Sequence, residues 1–241
     1  MKRFILVLIT ISTCYLSAFS QIHFGPKVGF LVAKPSFDQF SGNEYRSNLQ
    51  PGFQVGGMLF MPVTENFGLQ TELLYQRKGK NIYGQDLYEH ISNSHYLDLP
   101  ILFNLTQGNK SFSWYVGVGG TLSYWLGGGG KIAQTAGESV VEYSYNFNEN
   151  LPEANRYQIG LTINGGTRFE VADDRHIQLD VRYEIGHTYM AKEKEMLIND
   201  FTDNMLYSNQ VVSISAAYLF THFKKKQRLK SHTYDAKKRG N

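Results

Sequence analysis

The sequence predicts an all-β fold, an eight-stranded antiparallel up-and-down transmembrane β-barrel that follows a cleaved signal peptide. Three observations predict it: apolar and polar residues alternate, the connections alternate in length, and an export signal begins the chain. The alternation is clearest in IQLDVRYEI at residues 177–185, where the odd positions are apolar or aromatic and the even positions are Gln178, Asp180, Arg182 and Glu184. Successive side chains of a strand point to opposite faces, so this segment has one apolar face and one charged face.

The same period-two pattern recurs along the chain. It predicts strands near residues 22–34, 50–62, 65–78, 94–106, 110–126, 156–171, 174–187 and 208–223. Each segment is long enough for the roughly 9 to 11 residues with which a tilted strand crosses a bilayer. The mean hydropathy of −0.33 does not argue against a membrane location, because a barrel strand alternates and averages to a soluble-looking value.

The connections distinguish a membrane barrel from a soluble sandwich, which would also alternate. Long connections are predicted at 35–49, 79–93, 127–155 and 188–207, and short ones at 63–65, 107–109 and 172–173. Short turns on one rim and long loops on the other are typical of an outer-membrane barrel, with the turns in the periplasm. An even number of strands then places both ends of the barrel domain on the periplasmic side.

The N-terminus predicts export. Lys2 and Arg3 precede the apolar run FILVLITI, and small residues lead to Gln21, which is the pattern of a signal peptide at 1–20 cleaved near Ser20–Gln21. A lipoprotein signal around Cys14 is the alternative, but Thr is a poor fit just before that cysteine. The predicted domains are therefore the signal peptide 1–20, the barrel 21–223 and a tail 224–241, in a protein of the cell outer membrane.

The tail is strongly basic and accounts for the net charge of +3. Against a single Asp235, it contains the basic residues Lys224, Lys225, Lys226, Arg228, Lys230, Lys237, Lys238 and Arg239. A block of like charge is usually an interaction tail, so we expect the tail to bind a periplasmic or envelope protein partner or an anionic surface. The alternative is that the tail binds nothing and is a solvated, positively charged segment at the membrane edge. Because residues 21–223 are acidic overall, the basic pI does not predict nucleic-acid binding.

The polar face of the strands predicts a charged interior. An eight-stranded barrel is just wide enough for side chains to fill it, so inward charges must compensate one another. The predicted lumen charge network consists of Lys27, Glu72, Asp98, Arg168, Glu170, Asp180, Arg182 and Glu184. Within it, Arg182 is expected to neutralise Asp180 and Glu184.

Several segments together resemble a known family. FGPKVGF, GFQVGGMLFMPVTENFGLQTELLYQRKG, YLDLPILFNL and WYVGVGGTLSYWL, with a last strand ending in YLF, are similar to the PorT family of Bacteroidetes-type outer-membrane β-barrel proteins across residues 22 to 223. The resemblance implies an OmpA/OmpX-like barrel held in outer-membrane lipid and a role in an envelope or type IX secretion assembly. Tyr218 and Phe220 resemble the aromatic signal that the barrel-assembly machinery recognises during insertion.

The residues predict no catalytic, metal or cofactor site. His95 and His187 fall on strands that are not neighbours, and no Cys or His pair has metal-ligand spacing. The favoured function is a non-enzymatic structural or interaction barrel; the alternatives are a porin-like barrel passing small ligands or ions and an outer-leaflet lipid-modifying enzyme. Tyr143, Tyr145 and Phe147 are predicted to be exposed aromatic residues of a binding loop. The run GGGG at 127–130 predicts a flexible exit from a strand, and the segment 191–201 has the pattern of a helix.

Overall fold

The computed structural model describes residues 21–37, 45–84, 88–134, 140–145, 147, 154–191, 195–198, 201–204 and 207–223. The predicted signal peptide and the basic tail lie outside the described residues, so both stay predictions. In the part that is described, no helix is long and apolar enough to cross a membrane.

The described secondary structure is entirely β. The strands are β1 (Gln21–Phe37), β2 (Tyr45–Asn48), β3 (Gln50–Pro62), β4 (Phe67–Gly84), β5 (Tyr88–Gly108), β6 (Phe112–Gln134), β7 (Val140–Ser144), β8 (Tyr157–Ala172), β9 (Arg175–Gly186), β10 (Glu195–Ile198), β11 (Phe201–Asn204) and β12 (Tyr207–Phe223). Eight of them, namely β1, β3, β4, β5, β6, β8, β9 and β12, form the barrel.

The barrel is a closed antiparallel meander. Each barrel strand pairs with the next one along the chain, and β12 returns to β1 with a register that runs from Gln21 opposite Phe223 to Phe37 opposite Tyr207. Closure leaves no barrel strand with an unpaired edge, which is the condition for a sheet in lipid. The predicted fold class and all eight predicted strands are confirmed.

The two faces of the barrel differ as the alternation predicts. In β9 the outward residues Leu179 and Val181 are 47% and 55% exposed, whereas the inward residues Asp180 and Arg182 are each 2% exposed. Outward apolar residues continue around the barrel on the other strands, for example Phe30 and Phe103. A continuous apolar surface of this extent is unfavourable in water and marks the part of the barrel that contacts lipid.

Two predicted loops are instead part of the sheet. The expected connection at 79–93 is a hairpin in which β4 continues to Gly84 and β5 starts at Tyr88. The predicted flexible exit at 127–130 lies inside β6, where Gly127 and Gly128 have φ of 153° and 152°. Residues with a side chain rarely adopt this backbone conformation. The two glycines lie where the pairing of β6 with β5 shifts register, opposite His95 and Tyr96, and the shift identifies a β-bulge.

The predicted helix at 191–201 is wrong. Among its described residues, Ala191 forms an isolated β-bridge with Ala154. The others belong to β10 and β11, which pair as a small antiparallel hairpin from Glu195 opposite Asn204 to Ile198 opposite Phe201. A short segment of mixed charged and apolar residues is compatible with a helix or with a strand. Here, pairing with the following segment favours the strand.

Candidate functional site

The centre of the barrel holds a group of four buried charges, two cations and two carboxylates. Lys27 Nζ lies 2.8 Å from Glu72 Oε1 and 3.2 Å from Asp180 Oδ1, and Arg182 Nη2 lies 2.7 Å from the same Glu72 oxygen. Arg182 also lies 3.7 Å from Asp180. We call these four residues the central quartet. Because β4 and β9 stand on opposite sides of the barrel, the contact of Arg182 with Glu72 crosses the interior.

Neutral groups donate further hydrogen bonds to both carboxylates of the quartet. Tyr115 Oη donates to Asp180 Oδ2 at 2.6 Å, and Asn164 Nδ2 donates to the same oxygen at 3.0 Å. Gln70 donates to Glu72, and Gln70 in turn accepts from Asn104 Nδ2 at 2.7 Å. Buried charges are tolerated when they are both paired and hydrogen-bonded, so the arrangement accounts for charges at the level of the lipid belt.

A second ion-paired group lies nearer the long-loop rim. Lys78 Nζ is 2.9 Å from a carboxylate oxygen of Asp98 and 2.9 Å from one of Glu184, and it also lies 4.9 Å from the ring centre of Tyr96. Glu184 therefore pairs with Lys78 and not with Arg182 as expected from the sequence. The sequence prediction missed Lys78 because it ended the strand at that residue. The even-numbered residues from Gln70 through Lys78 to Lys80 are all buried on the inner face, and this continued alternation could have identified Lys78.

Two predicted members of the network are placed differently. Arg168 is buried, but it lies closer to the short-turn rim and donates through Nη2 to Gln178 Oε1 at 2.9 Å. Glu170 is exposed, so it is not one of the buried charges of the lumen. It pairs with His176, and both residues line the mouth of the barrel at the short-turn rim, where solvent reaches the carboxylate.

The long-loop end of the barrel is filled by an aromatic cluster. Its buried residues are Tyr96, Trp125, Ile132, Tyr143, Tyr145, Met190, Ala191 and Tyr207, and Phe37, Phe147 and Ala154 pack against them. Tyr143 and Tyr145 were predicted as exposed loop residues; they are each 7% exposed because β7 pairs with β6 and turns them inward. Tyr143 is also hydrogen-bonded to His90.

His95 and His187, the two histidines weighed as catalytic candidates, do not have the partners of a catalytic site in the described part of the chain. His95 Nδ1 is hydrogen-bonded to Tyr75 Oη at 2.6 Å, and His187 is exposed while its backbone N–H donates to Ile159 O. Neither side chain pairs with a serine or a carboxylate among the described residues, and no cluster of three or more His, Cys, Asp or Glu residues there could hold a metal. Within the ranges that the structure describes, His95 and His187 therefore lack the serine and carboxylate partners that a catalytic triad would need.

Tyr218 and Phe220 lie on the outer face of β12 near the short-turn rim. Their ring centres are 5.1 Å apart in an edge-to-face arrangement, and Phe220 also contacts Phe24 on β1 across the closing seam. The pair thus faces lipid where an insertion signal would be accessible, and its role in assembly stays a prediction.

The chain is similar to several solved structures. The chain is similar in structure to the outer membrane protein OprG from Pseudomonas aeruginosa, with a TM-score of 0.52, 11% identity, and coverage of 83% of this chain and 96% of that one. Outer Membrane Protein W of E. coli has a TM-score of 0.42 and 13% identity over 81% and 97% of the two chains. Ail, the attachment invasion locus protein of Yersinia pestis, has a TM-score of 0.37 and 13% identity over 83% and 99%.

At these identities the likeness to OprG shows the fold alone. No curated protein matches the chain. A family model described as outer membrane protein beta-barrel domain matches residues 17–188, which is well over half of the sequence. The chain therefore belongs to the outer membrane protein β-barrel domain family.

Proposed function

We propose that this protein is a non-enzymatic outer-membrane barrel that acts through its surfaces, as a structural or interaction component of an envelope assembly. The observation that carries the proposal is the filled interior, in which the central quartet, the Lys78 group and the aromatic cluster follow one another along the axis. An eight-stranded barrel has room for side chains and little else. The interior therefore supports rigidity, and any contact with a partner is left to the two ends.

The filled interior predicts that the barrel does not conduct ions. In planar lipid bilayers the purified protein should stay at baseline conductance, because Trp125, Tyr96 and Tyr207 fill the long-loop end and ion pairs fill the centre. A conducting porin measured in the same bilayers is the positive control. Reproducible single-channel steps would instead favour the porin-like alternative.

The end with long connections carries a surface that suits a partner. Strands β2, β4, β5, β6 and β7 continue one another as a sheet beyond the lipid-facing belt, and by the rule that long loops lie outside, this extension is extracellular. Val140 and Val141 on β7 are 58% and 41% exposed. Beside them, Lys131 and Glu142 form an exposed ion pair, and the hydrogen bond and attraction of Lys131 lower the pKa of Glu142. An exposed apolar pair within a charged rim is a common feature of binding surfaces.

The basic tail 224–241 is the candidate contact on the opposite side of the membrane. It follows Phe223, the last residue of β12, at the short-turn rim, and it is rich in lysine and arginine. The PorT-like motifs support an envelope or type IX secretion assembly as the setting, and the tail supplies a periplasmic surface for an acidic partner.

Affinity capture from mildly solubilised outer membranes tests the proposal. We expect envelope or secretion components to be recovered in fixed ratio with the tagged protein by mass spectrometry. Deletion of 224–241 should remove a periplasmic partner, and Val140→Lys combined with Val141→Lys should remove an extracellular one. The two variants change opposite sides of the membrane and serve as controls for each other. Recovery of the barrel alone, or of partners that neither variant affects, would contradict the proposal.

A further inference from the structure

The short-turn end of the barrel contains a cavity of about 640 Å³. Residues of all three short turns contribute to its wall, including Thr64, Asn109 and Asp174, so the cavity lies at the periplasmic mouth. Its volume is within the range of small-molecule sites, which are roughly 300–1,000 Å³. Phe60 and Arg168 extend into it from the inner face of the barrel, which gives the cavity an apolar wall and a buried cation.

Arg168 differs from the central cations in lacking a carboxylate. It is 6% exposed, and its Nε and Nη2 both donate to Gln178 Oε1, at 3.3 Å and 2.9 Å. Among the described residues it forms no ion pair, and its Nη1 donates to no acceptor. Lys27, Lys78 and Arg182, in contrast, each contact two carboxylates. A buried guanidinium without a counter-ion is costly, unless an anion from outside the chain can reach it.

The surroundings of Arg168 hold its side chain in one orientation. The guanidinium lies 4.1 Å from the ring centre of Phe60 and 5.9 Å from that of Tyr115, and Gln178, which fixes two of its nitrogens, itself donates to Tyr115 Oη at 2.7 Å. A guanidinium that lies over an aromatic ring and is already held in one orientation is suited to bind a planar carboxylate. The same ring offers an apolar face to the body of such a ligand.

Other groups on the wall limit the charge of the ligand. Thr221 Oγ1 lies 2.9 Å from His23 Nδ1 and 3.4 Å from His176 Nδ1, so polar groups line the side of the cavity. Glu65, Glu170 and Asp174 lie at its rim, with Lys110 as the cation there. Carboxylates at the entrance disfavour an anion of high charge, which leaves a ligand with a single negative group.

We propose that this cavity binds a small organic monocarboxylate from the periplasm, with its carboxylate on Arg168 and its apolar body against Phe60. The site is independent of the assembly role proposed above, since it lies inside the barrel mouth and requires neither the tail nor the extracellular sheet. Its walls come from the short turns and from the strand ends beside them, so the ligand enters from the aqueous side.

Binding can be measured with 4-fluorobenzoate as the probe and the full chain in phosphatidylcholine nanodiscs. We expect saturable broadening of the ¹⁹F resonance with the unmodified protein and affinity lower by about tenfold or more in Arg168→Gln, because a charge-assisted contact is lost. Arg175→Gln is the matched control, since Arg175 is an exposed arginine at the same rim that does not line the cavity. The neutral probe 4-fluorobenzyl alcohol should not bind.

Heat-dependent migration in gels verifies that each variant is folded, and Phe60→Leu provides a second variant that keeps Arg168. Phe60→Leu should lower the affinity for 4-fluorobenzoate several-fold, because it removes the aromatic ring that contacts the body of the ligand. Equal binding by Arg168→Gln and the unmodified protein, equal binding of the neutral probe, or no binding at all would overturn the proposal. Weaker binding of the probe in phosphatidylglycerol nanodiscs would identify a lipid headgroup as a competitor, and would contradict the assignment to a soluble acid.

Discussion

Replacing Arg182 with methionine is expected to lower the free energy of unfolding of the barrel by about 3 kcal/mol, the usual cost of leaving a buried charge without its partner. The substitution keeps an apolar side chain of comparable length in the interior and removes only the cation. Lys27 is then left to neutralise both Glu72 and Asp180. Because Glu72 and Asp180 are each 2% exposed, solvent cannot easily replace Arg182 at the second carboxylate.

Glu72→Gln in the Arg182→Met background should recover most of that loss. The double variant leaves Lys27 and Asp180, which are 3.2 Å apart, as a balanced pair. Urea unfolding of the refolded protein in detergent micelles or lipid vesicles provides the measurement, and Arg77→Met, at an exposed position on the outer face of β4, is the control. A double variant no more stable than Arg182→Met would show that the quartet does not act as a charge-balanced unit.

The sequence was sufficient to predict which residues face inward but not which of them meet. Alternation assigns a face to every residue of a strand, and seven of the eight predicted lumen charges are indeed buried. The contacts depend on the stagger of strands around the barrel, which no local pattern contains. For this reason Glu184 was assigned to Arg182 although it pairs with Lys78. Glu170 was likewise placed among the buried charges although it lies exposed at the mouth of the barrel.

The long-loop end of the fold was predicted less well, for a related reason. Tyr143 and Tyr145 are in a segment with polar neighbours, and their burial results from pairing of β7 with β6. Gly127 and Gly128 looked like a loop because their composition is typical of one, but they form a bulge within a continuous ladder. The cavity around Arg168 was also missed, because its lining residues come from all three short turns and from strand ends far apart in sequence.

Replacing Gly119 with alanine should destabilise the barrel by about 3 kcal/mol, at the upper end of the usual cost of overpacking. Gly119 is on the inner face of β6 opposite Leu102 of β5. A Cβ added there would lie 1.9 Å from the backbone oxygen of Ile101, well inside any tolerable contact. Because the obstacle is backbone and not the end of a flexible side chain, β5 and β6 would have to separate and weaken their shared ladder.

The adjacent Gly120 offers a matched control with the opposite expected sign. A Cβ at this position would point to the outer face, and its nearest neighbour would be Gly160 O at 3.8 Å, an ordinary contact. Gly120→Ala should leave stability unchanged or raise it by about 0.5 kcal/mol, since alanine restricts the unfolded chain. Both variants can be compared by urea unfolding midpoint and by the heat-dependent migration of the folded barrel in gels. If Gly119→Ala is as stable as Gly120→Ala, close backbone approach is not the reason for glycine at position 119, and strand spacing at this point of the barrel must be wider than described.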